Sequence, residues 1–316
     1  MHIVISDDYQ DSIRQLSCFE KTKNHTVKIH NDTVSGVDAL AERFKDAEAI
    51  VLIRERTIID KALLDRLPKL KVISQTGKMA SHVDLVACKE KGIVVMDGRG
   101  SGAATAELNM LLILAALRKL VDEVNRLKGG KWQGFVGSQL SGKVLGVYGF
   151  GRIGKQVCDL GKAFGAKPLV WGRESSLEKA KQAGYDIAST KEEFFRNSDI
   201  VCLQLRLNDQ TRGIVKASDL AMMKPTSLLV NASRAELIEE GALEKALKLG
   251  KPGYGAVDTY ESEPILGADH PLLHLSNCLC TPHIGFVEKD NYEAYFGIAF
   301  ENINAYAAGS PQNVVV

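Results

Sequence analysis

The chain has 316 residues, 45% of them hydrophobic and 25% charged, a size and balance that suit two ordered domains rather than one small core or a disordered tail. Its 40 basic and 39 acidic side chains leave a formal net charge of +1, which gives no electrostatic ground for a nucleic acid or an anionic membrane as partner. The opening residues lack the basic-then-apolar order of a secretory leader, and the apolar stretch Leu108 to Leu120 is too short to span a bilayer, so a cytoplasmic protein is expected.

Short apolar runs alternate with amphipathic stretches from the start. Strands are expected at His2–Ser6, Thr26–His30, Ala49–Ile53, Lys71–Gln75 and Ile93–Met96. Between them, Val37–Lys45 and Asp60–Leu67 read as helices, the second stopped by Pro68. Ser81-His82-Val83-Asp84 has capping-box spacing and predicts the start of a helix that Gly92 ends. A long helix is expected over Ala103–Lys128, closed by Gly129-Gly130. A second series follows, with strands at Val144–Tyr148, Pro168–Trp171, Ile200–Leu205, Ser227–Asn231, Gly255–Val257 and Cys278–Thr281, then a final helix over Glu288–Ala308. Strands alternating with helices predict parallel sheets covered on both faces, hence an α/β chain of two doubly wound domains. The six cysteines are scattered, most of them in apolar runs, and read as reduced buried thiols.

Gly149-Phe150-Gly151-Arg152-Ile153-Gly154 fits G-x-G-x-x-G, between an apolar strand and a plausible helix, Lys155–Phe164. That setting suits a dinucleotide: glycines permit the turn and close approach, and helix N-terminal amides meet the pyrophosphate. At the end of the next strand stands Gly172-Arg173-Glu174. An acidic residue there would hold the ribose hydroxyls of NAD, whereas Gly172 followed by Arg173 is closer to what the 2′-phosphate of NADP requires. NADP is therefore expected at least as readily as NAD, with Arg173 as an ordinary solvated loop residue the plain alternative. Three further segments end strands: Asn231-Ala232-Ser233-Arg234, Asp258 through Glu263-Pro264, and Thr281-Pro282-His283-Ile284-Gly285. Open parallel sheets bind ligands beyond their strand C-termini, so an arginine, a carboxylate and an imidazole are expected to converge. His270 and His274 lie four apart, but Pro271 argues against a metal pair on a helix, and no metal is expected.

In order and spacing these motifs resemble the D-isomer-specific 2-hydroxyacid dehydrogenase family, especially its phosphoglycerate-dehydrogenase-like branch. The likeness extends to Thr76-Gly77, Val83-Asp84, Thr105-Ala106-Glu107 and Thr211-Arg212-Gly213. It implies a flavodoxin-like substrate domain, residues 1–101 with 289–316, and a Rossmann nicotinamide domain, residues 102–288, paired as a homodimer largely through the long helix. It also implies hydride transfer between NAD(P) and C2 of a small D-2-hydroxy or 2-keto acid. Arg234 would hold the substrate carboxylate, His283 would be the acid–base, and Glu263 would orient it. The chemistry asks for such groups. An alkoxide formed at C2 needs a proton, a carboxylate favours the imidazolium, and a planar guanidinium fits a carboxylate.

Cofactor contacts implied by the resemblance are Thr105, Gly149, Gly151, Arg152, Ile153 and Gly154, then Arg173, Arg206 and Thr211, and finally Ala232, Asp258 and Gly285. Substrate contacts would come from Gly77, the Lys78 and Met79 amides, and Arg54, which on the plain reading pairs with Glu55 or Asp60. Among glyoxylate, hydroxypyruvate, pyruvate and phosphohydroxypyruvate, the phosphate-bearing acid is favoured by Arg54, Arg56 and Lys78. Met79, Ser81-His82, Arg206 and Phe286-Val287 depart from common family residues. An alternative on the same fold is a nucleotide-sensing, corepressor-like binding protein.

Overall fold

The computed structural model describes residues 1–316, which form two compact units: Met1–Ser101 with Val287–Val316, and Gly102–Phe286. The first holds strands β1 (His2–Ile5), β2 (Thr26–Ile29), β3 (Ala49–Leu52), β4 (Val72–Gln75) and β5 (Val94–Met96), in the parallel order β2-β1-β3-β4-β5. The second holds β6 (Val144–Tyr148), β7 (Lys167–Trp171), β8 (Asp186–Ile187), β9 (Ile200–Leu203), β10 (Leu228–Asn231), β11 (Tyr254–Val257) and β12 (Cys278–Cys280). Their order is β12-β11-β10-β9-β6-β7-β8, again all parallel. The two orders are those of flavodoxin-like and Rossmann sheets, and each reverses direction once, at the position where such folds take a ligand.

Burial explains why the strands were readable. Strands β3, β4, β9 and β10 are buried at every position, as strands covered on both faces must be. In the first unit the helix Lys289–Ala307 lays Phe296, Ala299, Phe300 and Ile303 into the core. It is tied to β4 where the Ser74 hydroxyl donates to the Ala299 carbonyl at 3.0 Å. Residues 313–316 then run antiparallel along the free edge of β5, with the Val95 amide donating to the Val316 carbonyl at 2.7 Å. That pairing closes an edge that would otherwise invite another chain.

Several expectations change. The long helix is two, Ala103–Leu117 and Leu120–Lys128, broken at Lys119, whose φ of 52° lies in the left-handed region. Lys119 places its ammonium 3.7 Å from the centre of the Tyr254 ring, a contact that sequence spacing could not reveal. The helix Leu85–Glu90 begins later than predicted, because Asp84 itself is the cap and accepts the Ala87 amide at 2.9 Å. Two 3-10 turns, Ile13–Gln15 and Ser17–Thr22, and the two-residue strand β8 were not anticipated. Each has too few residues, six at most, for a hydrophobic period to be recognised.

Candidate active site

The glycine motif occupies the turn between β6 and the helix Arg152–Ala163. Gly149 has φ 102°, and a Cβ there would lie 2.5 Å from the Gln204 carbonyl oxygen. At Gly154 a Cβ would meet the Gly149 carbonyl oxygen at 2.1 Å, so both positions exclude any side chain. Gly151 differs. A Cβ there meets nothing within 4 Å, so its glycine leaves open space at the helix N-terminus. Two glycines demanded by packing and one facing open space are what a dinucleotide pyrophosphate needs at this turn. Arg152 and Ile153 form the first helical turn, Ile153 packed against the core.

Arg173 stands exposed as the cap of the next helix, Glu174–Gln182, and forms no ion pair with Glu174 or Glu178. Arg206 is exposed after β9. Its carbonyl accepts the Thr211 hydroxyl at 2.7 Å, and the same hydroxyl accepts the Asn208 amide at 2.9 Å. The Thr211 side chain is thus engaged in holding its own turn.

At the end of β10, Asn231 folds the chain back on itself. Its Oδ1 accepts the Ser233 amide at 3.1 Å and its Nδ2 donates to the Arg234 carbonyl at 2.8 Å. The Ser233 hydroxyl donates to the Leu203 carbonyl of β9 at 2.8 Å, fixing the turn against the neighbouring strand. Ala232 is buried beneath it. Arg234 emerges half-buried, with Nη1 donating to the Ser233 carbonyl at 2.6 Å.

The loop after β12 is held from β11. Asp258, fully buried, accepts the Thr281 hydroxyl at 2.6 Å and the Ile284 amide at 2.9 Å on Oδ1, and the Gly285 amide at 2.8 Å on Oδ2. Burial pushes its carboxyl above the usual range, and the hydrogen bonds and the nearby His283 oppose that shift. The Gly285 carbonyl in turn accepts the Thr105 hydroxyl at 3.0 Å. The Tyr260 hydroxyl donates to the Thr281 carbonyl at 3.0 Å. His283, at the apex, has φ 50°, a strained value for a non-glycine residue that persists only where surroundings enforce it.

His283 Nδ1 lies 2.6 Å from Glu263 Oε2, and the other carboxylate oxygen, Oε1, accepts the Tyr260 amide at 2.9 Å. Both oxygens of Glu263 are thereby oriented, and with Nδ1 engaged the imidazole presents Nε2 to other partners. Asp258, Tyr260 and Asn231 were not read as positioning groups. An Asn two residues before a serine is a turn signal that would have identified Asn231, but nothing local marks the other two.

In the first unit, Arg54 follows β3 with φ 53°, its amide donating to the Thr76 hydroxyl at 2.9 Å and its carbonyl accepting from Gln75 Nε2 at 2.8 Å. Its guanidinium carbon lies 5.7 Å from the Tyr295 ring centre, and Nη2 lies 3.8 Å from Glu55. A Cβ at Gly77 would come within 2.0 Å of Arg54 Nη1, so Gly77 leaves room for this guanidinium. The Met79 amide, one of the pair expected to grip a substrate carboxylate, donates to Asp97 Oδ2 at 3.1 Å. Lys78 Nζ is also bound to Asp97, at 2.7 Å.

Comparison with known proteins places the chain in a family. Residues 110–285 match the family model described as D-isomer specific 2-hydroxyacid dehydrogenase, NAD binding domain. The chain is 36% identical over 282 residues to a D-3-phosphoglycerate dehydrogenase of Methanocaldococcus jannaschii, matching 88% of itself to 53% of that protein, so it spans about half that relative's length. It is 34% identical over 290 residues to a glyoxylate reductase of Aeropyrum pernix, covering 88% of this chain and 85% of that one. The crystal structure of a phosphoglycerate oxidoreductase from Vibrio cholerae o395 superposes with a TM-score of 0.95 at 49% identity, covering 98% of this chain and 99% of that chain. All three are named as oxidoreductases. The chain belongs to the D-isomer-specific 2-hydroxyacid dehydrogenase family.

Proposed function

We propose that the protein moves a hydride between a nicotinamide dinucleotide and C2 of a small D-2-hydroxy or 2-keto acid. The observation that carries this reading is the Glu263–His283 contact at 2.6 Å on a loop whose geometry is enforced by Asp258. With Nδ1 held by the carboxylate, Nε2 is the nitrogen that gives a proton to the C2 oxygen in reduction and takes it in oxidation. Arg234 pairs with the substrate carboxylate through its planar fork. The bound nicotinamide supplies only the hydride. The Gly149–Gly154 turn seats its pyrophosphate.

NADPH is used at least as well as NADH on this reading. Arg173 is exposed, unpaired and seated at a helix N-terminus after Gly172, features that suit a 2′-phosphate. The substrate is an acid carrying a distal anionic group, met by Arg54, while the unpaired Gly77 and Lys78 amides receive its carboxylate.

A homodimer is supported by the helix Leu120–Lys128, which buries none of its residues and exposes Val121, Val124 and Leu127. Trp132, at 76% exposure, Phe135 and Val136 extend the same apolar stretch. A patch of this kind is characteristic of an interface. No helix is long and apolar enough to cross a membrane.

The test is oxidation of NADH and of NADPH with glyoxylate, pyruvate, hydroxypyruvate and phosphohydroxypyruvate. Turnover with at least one pair, greatest for the phosphate-bearing acid, is expected. No turnover with any pair would overturn the reading.

A further inference from the structure

β12 forms the outer edge of the second unit's sheet and is paired only with β11. It carries Cys278 and Cys280, two apart and therefore on one face, with their sulfurs 3.7 Å from each other. Cys278 lies over Gly255, where a Cβ would come within 3.2 Å of its sulfur, so glycine in β11 makes room for it. The Tyr260 hydroxyl, which holds the Thr281 carbonyl, also reaches Cys280. Thr281 follows directly, and His283 is two residues beyond.

We infer that Cys278 and Cys280 form a hydroperoxide-sensitive dithiol whose oxidation to a disulfide shortens β12 and displaces the loop carrying His283.

The chemistry is set up by the neighbours. Hydrogen bonds from Cys278 and Tyr260 favour the Cys280 thiolate, lowering its pKa, while the same pairing and burial raise that of Cys278. The Cys280 thiolate attacks the peroxide oxygen and breaks the O–O bond, giving a sulfenic acid and one water or alcohol after proton uptake. Sulfur of Cys278 then attacks Cys280 Sγ, loses its proton and expels a second water. The two thiols give up two electrons and two protons, and the hydroperoxide takes them. The other four thiols do not compete, because Cys18, Cys88, Cys158 and Cys202 are buried, and burial raises all four, Cys88 to about 11 and Cys202 to about 12.

Geometry couples the bond to the loop. Residues two apart in a strand have Cα atoms about 6.6 Å apart at the usual rise per residue, near the upper limit for a disulfide. Closure to the preferred span draws β12 in by about half an ångström to one ångström. As an edge strand, β12 has only one ladder to oppose that change. Thr281 moves with it, and the bonds from Thr281, Ile284 and Gly285 to Asp258 lengthen.

The effect on turnover rests on the proposed role of His283, so the experiment reads the dithiol and the loop separately from activity. The protein is treated with hydrogen peroxide, and the peptide containing residues 278–280 is weighed before and after reduction with dithiothreitol. It is expected to be lighter by two hydrogens, reversibly. Amide exchange at Ile284 and Gly285 is expected to quicken in the oxidised protein, and turnover to fall by about ten- to a hundredfold, the cost of a misplacement near 1 Å. Cys278→Ser is expected to show none of these changes. An unchanged peptide mass, exchange at Ile284 and Gly285 that ignores oxidation, or the same losses in Cys278→Ser would each overturn the inference. A mass loss and faster exchange in a protein inactive even when reduced would uphold it and sink the proposed function instead.

Discussion

The strand ends of the two units are built on different plans. In the second unit nearly every polar group beyond β10, β11 and β12 bonds to another part of the same unit: Asn231 to Ser233 and Arg234, Asp258 to Thr281, Ile284 and Gly285, and Tyr260 to Thr281 and Glu263. On the proposed reading the groups that meet a ligand are few and held in place, the Arg234 side chain on its turn and the imidazole on its loop. The first unit keeps larger charged groups at its strand ends. Arg54 sits at a positive φ beside Tyr295, and Arg56 lies 4.5 Å from the Tyr9 ring centre while donating to the Asp7 carbonyl at 2.6 Å. A preorganised site suits chemistry common to all substrates, whereas long side chains over aromatic rings suit selection among them. Changes in the second unit should therefore lower kcat for every acid alike, and changes in the first should alter KM and depend on the acid.

The largest effect is expected from His283→Ala, with kcat falling at least about 100-fold and dinucleotide affinity nearly unchanged. Steady-state rates together with a binding titration check it, and a loss confined to one acid would break the division between the units. Next comes Arg234→Lys, which keeps the charge and loses the fork. It should lower kcat/KM by about ten- to a hundredfold with all acids, the value of one charge-assisted hydrogen bond. Equal kinetics in the two proteins would place the carboxylate elsewhere.

Arg54→Ala sharpens the contrast from the other side. KM for phosphohydroxypyruvate should rise about tenfold, with little change for glyoxylate, which has no distal group to lose. A parallel loss with both acids would make Arg54 part of the common machinery. For Arg173→Ala, the ratio of kcat/KM with NADPH to that with NADH should fall about tenfold. An unmoved ratio would leave Arg173 as a solvated loop residue.

The smallest effect is expected from Glu263→Gln, which keeps a hydrogen-bonding group beside the imidazole, 2.6 Å away in the native protein, and loses the charge. The value of kcat should fall about three- to tenfold with every acid while KM changes little, the worth of one hydrogen bond that orients His283. An unchanged kcat would show that Glu263 does not position the imidazole.

How much of this was legible in the sequence follows from what each feature depends on. The strands were legible because fully covered parallel strands are unbroken apolar runs, as Ala49–Leu52 and Leu228–Asn231 show. The glycine turn and the Arg234, Glu263 and His283 segments were legible because each lies at a strand end in a recognisable order. What escaped depends on partners distant in sequence. Asp258 reads as a cofactor contact, and its hold on the His283 loop shows only when the amides of Ile284 and Gly285, 26 and 27 positions on, are seen to close on it. The Met79 amide seemed available because Asp97, 18 residues away, was not known to face it. The break at Lys119 likewise needs Tyr254, far along the chain.

The first unit is assembled from two stretches of chain with the whole second unit between them. During synthesis its five strands emerge early and must wait, since Phe296, Phe300 and Ile303, which complete their core, arrive only after residue 286 has been made. The second unit is one continuous stretch and is free to close first. Through that interval β4 lacks the helix that covers it, and β5 lacks residues 313–316 along its edge. The exposure of those two strands on the ribosome is where a chaperone would act, and where premature termination near residue 286 would leave a product prone to aggregation.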